Sequence, residues 1–508
     1  MAVPVAVLVV VGGLLRWVVA GQDLFADELA TYWVVSTRGL SGVVETVSTT
    51  AEISPPFGFV LSWFTTRIGL SPELVRLPAL VAGIASIPLV YAVGRRTVGH
   101  GAALVAATLT TLSPFMIFYS AEARGYGVLM ALLLLSTLTL LIAVEDGRAR
   151  WWGVYAVCVC LSAYTHYTAV FVLAAQLGWA FWLHPRARRP LLVSTALAAL
   201  AFVPWLPSLR ADMDSPTTDI LSALSPTDPG SIGIALGQWS IGFPAANIGV
   251  PLSFPVSGSS LRDLPGIPAL VLLMASLGVA LWGLVSMRSR LRPWFAEHGG
   301  HVGLVVLLAV ATPVGAALQS AVGTNVFRTR SLAPSWPYLA LAVAALITVG
   351  PPARRAVAAA LAVAAFGLAA LTMTTSDFQR PDFQSLARLA EDHGGVVVNG
   401  AAFTPGPLTS FDVEGSSPAL EVFRLTVPEQ ASTPFVVGEA RPDPAVVAER
   451  AVAAADGGPI TVVAFRPPAP EVTELIEHLP SDYELTETVR MPGIFELQAL
   501  VYERTGGG

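Results

Sequence analysis

The sequence predicts a helical protein that crosses a membrane many times and carries a small soluble α/β domain at its C-terminal end. Of its 508 residues, 54% are hydrophobic and 13% charged, and the mean hydropathy is +0.65, whereas a soluble domain has about 25% charged residues. The charge is divided unevenly. Residues 1–375 hold 15 acidic residues and 21 arginines, a net +6, and residues 376–508 hold 20 acidic residues and 8 arginines, a net −12. We therefore expect a membrane domain at 1–375 and a soluble domain at 376–508.

Long apolar runs mark the expected membrane spans. A helix needs about 20 apolar residues to cross a bilayer, and eleven runs come near this length. They are residues 3–20, 74–94, 102–119, 126–144, 151–165, 167–183, 190–209, 267–287, 302–321, 332–350 and 354–373. The run at 54–69 is shorter, so we expect it to lie along the outer face as a juxtamembrane helix, with a true span as the alternative.

Arginine clusters orient the spans, because the positive-inside rule assigns the side that holds them to the cytoplasm. If residues 54–69 do not cross, five clusters share one side: Arg95 and Arg96; Arg148 and Arg150; Arg186, Arg188 and Arg189; Arg288, Arg290 and Arg292; Arg354 and Arg355. We therefore predict a multi-pass plasma-membrane protein with a cytoplasmic N-terminus. The outer side then holds the loop 21–56, the turns 121–126 and 164–168, a long loop at 210–265 expected to form a partly ordered lid, the segment 325–330, and the domain 376–508.

The C-terminal domain shows short alternating elements. PDFQSLARLAED and PEVTELIEHLP have the periodicity of amphipathic helices, and GVVVNG, FVVG, ITVVAF and FELQALVYER have that of strands. The domain has no phosphate-binding glycine motif and no metal-ligand spacing, so we expect a structural or acceptor-guiding role. Neither domain has the basic, aromatic-interleaved patches that nucleic acid requires.

Two adjacent carboxylates, Asp27 and Glu28, follow the first span. The aromatic residues Tyr32 and Trp33 come soon after them, as is typical of a membrane interface. This is where an enzyme would meet a lipid head group. In the alternative interpretation, both carboxylates cap a short surface helix.

A series of motifs follows this pair in order. SPPFGF opens the run at 54–69. RLPAL, IPLVY, GRR and SP then lead to the turn EARGY at 122–126, and Arg330 stands seven residues before Pro337. In this order the motifs resemble the GT-C glycosyltransferases, most closely the branch that holds protein O-mannosyltransferases and the aminoarabinose transferase of lipid A. The resemblance covers residues 1–375. Two positions depart from the family pattern: Ser54, where His or Lys is frequent, and Ser331, where Tyr is common.

The resemblance implies the all-α GT-C fold and a function. A sugar, mannose or arabinose in the first instance, would move from a polyprenyl-phosphate donor to a hydroxyl of a cell-envelope acceptor, with inversion, at the outer membrane face. It assigns the general base to Asp27, with Glu28 orienting it or helping to bind. Such a transfer needs a base for the acceptor proton and cations for the charge that grows on the phosphate.

The cations proposed for the phosphate are Arg330, Arg328 and Arg124. The guanidinium fork can grip phosphate through two hydrogen bonds. The alternative for Arg328 and Arg330 is a pair of interfacial anchors with snorkelling side chains. Arg124 could instead form a mutual salt bridge with Glu122.

The sugar and the acceptor would be bound by Glu122, Tyr126, His166 and Glu52. Glu122 and Tyr126 belong to the EARGY turn, and Glu52 precedes the double proline. His166 lies between two tyrosines, where a purely structural histidine is the alternative.

No cofactor is firmly implied. We do not expect a divalent cation, because no outward carboxylates have metal-ligand spacing, although Asp27 and Glu122 could share an ion as in the related oligosaccharyltransferases. Two other classes remain open. A lipid or solute transporter would place ionisable residues at mid-membrane and show internal repeats, and a non-enzymatic envelope scaffold would leave Asp27, Arg124 and Arg330 without a role.

Overall fold

The computed structural model describes residues 2–24, 27–49, 52–215, 228–242, 267–323, 325–380, 382–399, 435–436, 443–466, 468, 470–493 and 497–505. Helices make up nearly all of the described N-terminal part. They are α1 (Ala2–Ala20), α2 (Asp27–Thr37), α3 (Leu40–Val47), α4 (Phe57–Thr66), α5 (Pro72–Thr97), α6 (His100–Leu112), α7 (Pro114–Ser120), α8 (Tyr126–Asp146), α9 (Ala149–Ala163), α10 (Ala169–Leu183), α11 (Arg188–Phe202), α12 (Leu206–Met213), α13 (Pro229–Ile241), α14 (Ile267–Ser286), α15 (Arg288–Val322), α16 (Trp336–Val349) and α17 (Pro352–Thr372). The prediction of a polytopic helical membrane protein is confirmed.

The predicted runs and the observed helices agree in order and position. By length and composition, eight helical segments of the described residues can cross a membrane, or nine if the bent pair α6 and α7 forms one span. Helices α9 and α10, with 15 residues each, would bring the number to the predicted eleven. Helix α4 has 10 residues and is about 15 Å long, half the thickness of the hydrocarbon core. It is therefore too short to cross alone.

The run at 102–119, predicted as one continuous span, is broken. Helices α6 and α7 meet at an angle of 59°. Ser113 is extended and its hydroxyl accepts a hydrogen bond from the Met116 amide, so it caps α7, which begins with Pro114. A residue that precedes proline avoids the helical region, and this explains the break. As a result α7 carries the chain at a new angle toward the turn 121–125.

Arg16 of α1 is fully buried beside this break. Its guanidinium donates to the carbonyl oxygens of Thr110 at 3.0 Å, Thr111 at 3.3 Å and Gly12 at 3.1 Å. The first two belong to the last turn of α6, where carbonyls have no helical partner. Arg16 therefore caps a helix that ends inside the bundle.

Helices α5 and α8 form the centre of the bundle and pack closely. A Cβ atom on Gly127 would lie 2.8 Å from the carbonyl oxygen of Ala79, a distance that only glycine permits at this crossing. Small residues let membrane helices approach in this way. The contact fixes the start of α8, and with it the turn that precedes α8.

The described residues of the C-terminal domain form a five-stranded mixed sheet with helices α18 (Phe383–His393), α19 (Pro444–Ala455) and α20 (Pro470–Glu477). Its strands are β1 (Val396–Asn399), β2 (Phe435–Val436), β3 (Ile460–Phe465), β4 (Tyr483–Met491) and β5 (Leu497–Arg504). Their order is β2-β1-β3-β5-β4, with β2, β1 and β3 parallel and β5 antiparallel to both neighbours. The predicted α/β class is confirmed. Helix α19 and strand β4 were not predicted, and β4 is an edge strand whose mainly exposed polar residues hide the strand pattern.

The long loop predicted at 210–265 is described only in part. Helix α12 ends at Met213 and α13 occupies Pro229–Ile241, and the rest of the proposed lid lies outside the described residues.

Candidate active site

Glu28 lies at the start of α2 and is almost completely buried, with 1% exposure. Its Oε1 accepts from the Arg76 Nε at 2.7 Å and from the Ala123 amide at 2.7 Å, and its Oε2 accepts from the Arg76 Nη2 at 2.6 Å. Burial raises the pKa of Glu28, but the charges of Arg380 and Arg76 and these hydrogen bonds outweigh burial and leave that pKa below its usual value. Glu28 is therefore an ionised anchor that joins α2 to α5 and to the turn before α8.

Arg76 and Arg380 complete this buried cluster. Arg76 also donates to the carbonyl oxygens of Ala20 at 2.8 Å and Asp23 at 2.8 Å, so it fixes the loop between α1 and α2. The Arg380 Nε lies 3.1 Å from the Glu28 Oε2. Neither arginine was predicted as a site residue, although Arg76 opens the RLPAL motif. For Arg380 the sequence offers no motif.

Asp27, the neighbour of Glu28, faces a different environment. Its Oδ2 forms an ion pair with the Arg330 Nη1, and the side chains of Asp27 and Arg330 are 38% and 28% exposed. Withdrawal from water raises the pKa of Asp27, but the charges of Arg330, Arg124 and Arg328 outweigh this effect and lower the pKa below its usual value. The structure thus joins two predicted site residues that are 303 positions apart in the chain, and it leaves the Asp27 carboxylate ionised and accessible.

Arg124 is held by the loop that precedes the double proline. Its Nη1 and Nη2 each lie 3.1 Å from one carboxylate oxygen of Glu52, and its Nη2 donates to the Ser54 hydroxyl at 3.2 Å. Arg124 and Glu52 are 8% and 5% exposed. The alternative of a mutual salt bridge between Arg124 and Glu122 is therefore wrong, because both terminal nitrogens of the Arg124 guanidinium pair with the Glu52 carboxylate.

Glu122 has no such partner among the described residues, where its Oε2 is buried without a hydrogen bond. Burial, followed by the negative charges of Glu28 and Asp27, raises the pKa of Glu122 to about 7. Near neutral pH this carboxyl group therefore exchanges between its protonated and ionised forms.

His166 and Tyr126 form a further side of the site. Their rings lie 5.3 Å apart. The Thr168 amide donates to the His166 Nδ1 at 3.3 Å, which leaves the ring proton on Nε2. Burial, together with the charges of Arg124 and Arg330, lowers the pKa of His166 to about 3. His166 is therefore a neutral donor at physiological pH.

Arg328 is two residues from Arg330. Its Nε is buried and has no hydrogen-bond partner in the part of the chain that the structure describes, and burial together with the charge of Arg330 lowers the pKa of Arg328 to about 10. It still carries a full positive charge at neutral pH. The site thus has a cation whose hydrogen-bonding capacity is not fully used.

A small, partly open cleft lies beside Arg124, Tyr126 and His166. It is lined by Thr31, Ser54, Pro55, Gly58, Phe59, Ala123, Arg124, Gly125, Tyr126, Thr165 and His166. Its walls combine hydroxyl groups and a neutral histidine with aromatic rings, a chemistry suited to the polar edges and apolar faces of a sugar. Among the described residues, no group of three or more His, Cys, Asp or Glu side chains could hold a metal ion.

Comparison with solved structures identifies the class of fold. The archaeal oligosaccharyltransferase from Archaeoglobus fulgidus, tethered with an acceptor peptide, is 11% identical over 99% of this chain and 74% of its own, with a TM-score of 0.52. The archaeal oligosaccharyltransferase AglB of the same organism, in complex with an inhibitory peptide and a dolichol-phosphate, is 12% identical over 91% and 69%, with a TM-score of 0.50. ArnT from Cupriavidus metallidurans bound to undecaprenyl phosphate is 13% identical over 98% and 97%, with a TM-score of 0.49. The two oligosaccharyltransferase comparisons show that the chain has the GT-C fold, and the fold that the motifs implied is confirmed.

The match to a sequence family is narrower. Residues 54–207 match the family of the dolichyl-phosphate-mannose-protein mannosyltransferases, a segment that starts at the double-proline loop and includes Arg124 and His166. No curated protein matches the sequence. The matched segment is under half of the chain, so the comparisons establish the fold.

Proposed function

We propose that this protein is a membrane glycosyltransferase that moves a sugar from a polyprenyl-phosphate donor to a hydroxyl group of a cell-envelope acceptor at the outer membrane face. Mannose and arabinose are the leading sugars. The observation that carries the proposal is the Asp27–Arg330 ion pair, which interacts electrostatically with the cleft residues Arg124 and His166. It places an ionised carboxylate next to a cation that has the geometry to bind phosphate.

In the proposed reaction, Asp27 removes the proton of the acceptor hydroxyl. The acceptor oxygen attacks the anomeric carbon of the sugar from the face opposite the phosphate. The bond from that carbon to the phosphate oxygen breaks, and the polyprenyl phosphate leaves with both electrons. A single displacement of this kind inverts the anomeric centre.

Arg330 has two roles in this reaction. It stabilises the charge that grows on the departing phosphate, and before donor binding it neutralises Asp27. When the donor phosphate engages the guanidinium, the phosphate competes with the Asp27 carboxylate. Donor binding therefore frees the base for the acceptor. Arg328, which has a nitrogen without a partner, adds positive charge on the same side.

The remaining residues shape and polarise the cleft. Arg124 and Glu52 form a salt bridge with each other, so together they offer little net positive charge to the donor phosphate. We assign them to the wall of the cleft that positions the sugar. His166 donates from Nε2 to a sugar hydroxyl or phosphate oxygen, and Tyr126 presents its ring. Glu28 positions Asp27 through its buried contacts, and Glu122 binds sugar hydroxyls as an acid or as a carboxylate.

The test uses the purified full-length protein in lipid nanodiscs with radiolabelled polyprenyl-phosphate mannose and polyprenyl-phosphate arabinose, and cell-envelope material as acceptor. We expect one label to move to the acceptor. Arg330→Ala should lower kcat by about 10²- to 10³-fold, as is usual when a donor to a developing oxyanion is lost. Arg330→Lys should recover only part of the rate, because lysine lacks the fork.

The matched control is Arg355→Lys, a substitution at an exposed arginine in a cluster outside the site, which should leave the rate unchanged. If neither label leaves the lipid, or if Arg330→Ala works at the wild-type rate, the proposal is wrong.

A further inference from the structure

Arg380 lies eight residues beyond the end of α17, in the segment that joins the membrane domain to the C-terminal domain. Although it belongs to the second domain by sequence, it is 4% exposed. Its guanidinium lies over the ring of Phe118 at 4.8 Å. A hydrophilic linker residue is thus packed against the membrane domain.

Three contacts attach Arg380 to segments that carry site residues. Its Nε lies 3.1 Å from the Glu28 Oε2, its Nη2 donates to the Ala121 carbonyl oxygen at 3.1 Å, and its backbone amide donates to the Gln22 Oε1 at 3.0 Å. Glu28 adjoins Asp27 in the chain, and Ala121 adjoins Glu122. The Arg380 side chain therefore links the start of α2 to the turn before α8, and its backbone amide holds the α1–α2 loop beside them.

The charge of Arg380 also reaches Glu122. Within the described ranges, the Arg380 Nη1 and the Glu122 Oε2 are both buried without hydrogen-bond partners. The positive charge of Arg380 partly offsets the effects that raise the pKa of Glu122. Removal of Arg380 would therefore change both the geometry and the electrostatics of the site.

The fold itself does not depend on Arg380 alone. Arg76 holds the same carboxylate through two hydrogen bonds, to Oε1 and to Oε2. If Arg380 is replaced, Glu28 keeps a buried counterion, so the variant should still fold. We therefore expect replacement of Arg380 to displace the site residues without unfolding the protein.

We propose that Arg380 is a positioning residue of the active site, and that the segment which joins the two domains is thereby part of the catalytic unit. The inference rests on the proposed function. It means that the C-terminal domain is attached to the catalytic centre through a buried arginine, so that movement of the domain would act directly on the segment that carries Asp27.

The test compares Arg380→Gln, Arg380→Lys and the control Arg388→Gln in the full-length protein. Arg388 is an exposed arginine of α18, eight residues further on. Arg380→Gln should lower kcat by about 10- to 100-fold, the scale expected of misplaced catalytic groups, with the donor KM nearly unchanged. Arg380→Lys should lie between this variant and the wild type, because it restores the charge but loses the contact with Ala121.

A second measurement does not depend on activity. Infrared difference spectroscopy can follow the carboxyl band of protonated Glu122, assigned by its absence in Glu122→Gln. In Arg380→Gln the protonation midpoint of this group should move to higher pH, whereas in Arg388→Gln it should stay in place. If Arg380→Gln matches Arg388→Gln in kcat while the wild type transfers sugar, the positioning role is overturned. If the wild type transfers no sugar, the proposed reaction itself is wrong. A shift of the Glu122 protonation midpoint to higher pH in Arg380→Gln would then show only that Arg380 and Glu122 interact.

Discussion

Asp27→Asn and Glu28→Gln are matched substitutions at adjacent positions. The structure predicts that the first lowers the rate of sugar transfer and that the second lowers the stability of the fold. Asparagine at position 27 keeps an oxygen that can accept from Arg330 but cannot take a proton from the acceptor. Loss of a general base costs about 10²- to 10⁴-fold in rate, or about 3 to 5 kcal/mol in activation free energy. The Asp27–Arg330 pair is partly exposed, so its loss should change the free energy of unfolding by at most about 1 kcal/mol.

Glutamine at position 28 should instead reduce stability. The side chain of Glu28 is 1% exposed, and the side chains of its partners Arg76 and Arg380 are 0% and 3% exposed. Neutralising the carboxylate leaves two buried guanidinium groups without a counterion. Breaking a buried ion pair from one side costs about 3 to 5 kcal/mol. The same size of free energy therefore appears in the activation barrier for Asp27→Asn and in the folding equilibrium for Glu28→Gln.

Three measurements on each purified variant separate these effects: binding of the donor lipid, sugar transfer under single-turnover conditions, and thermal unfolding in detergent. Asp27→Asn should bind the donor, unfold within about 2 °C of the wild type, and transfer little sugar. Glu28→Gln should unfold at a clearly lower temperature. Near-normal transfer by Asp27→Asn would refute its role as the base, and an unchanged unfolding temperature for Glu28→Gln would refute the account of the buried cluster.

Two further predictions concern pH and topology. Because the folded pKa of Glu122 is raised to about 7, the folded state binds an extra proton below that value, and stability should fall as pH rises from about 4.5 to 7. The thermal midpoint of the wild type should then fall more between about pH 5 and pH 7 than that of Glu122→Gln, and parallel curves would contradict the assignment. In a variant without native cysteines, a cysteine at the exposed Ala454 of α19 should react with an impermeant thiol reagent in intact cells, and one at the exposed Ala149 should react only after lysis. The reverse labelling pattern would invert the proposed orientation.

Much of the architecture was predictable because hydrophobic length and periodicity report local structure directly. The apolar runs gave the helices of the membrane domain in their observed order. The break at Ser113 was missed, although the Ser-Pro step is visible in the sequence, because a sum of hydropathy over residues 102–119 does not register a change of direction.

The candidate site was predictable only in part. Asp27 and Arg330 were selected separately, and the structure shows them as a pair. Arg124 was selected as a site residue with a local salt bridge to Glu122 as the alternative, whereas its partner in the structure is Glu52, 72 positions away. Arg380 could not be found at all, because its burial depends on the return of the chain to the first loop, and no local pattern encodes such a contact.

The cap that Arg16 forms on α6 has a consequence for the biogenesis of the protein. Two of the acceptor carbonyls lie 94 and 95 residues further along the chain, so α1 is synthesised and inserted long before they exist. Until α6 arrives, the guanidinium must reach the head-group layer or remain in the bilayer at a cost of about 2.5 to 3.5 kcal/mol if it lies near the centre. The depth of α1 in the membrane would thus not be fixed until five more helices have been synthesised. It would become fixed when the carbonyl oxygens at the end of α6 accept hydrogen bonds from Arg16.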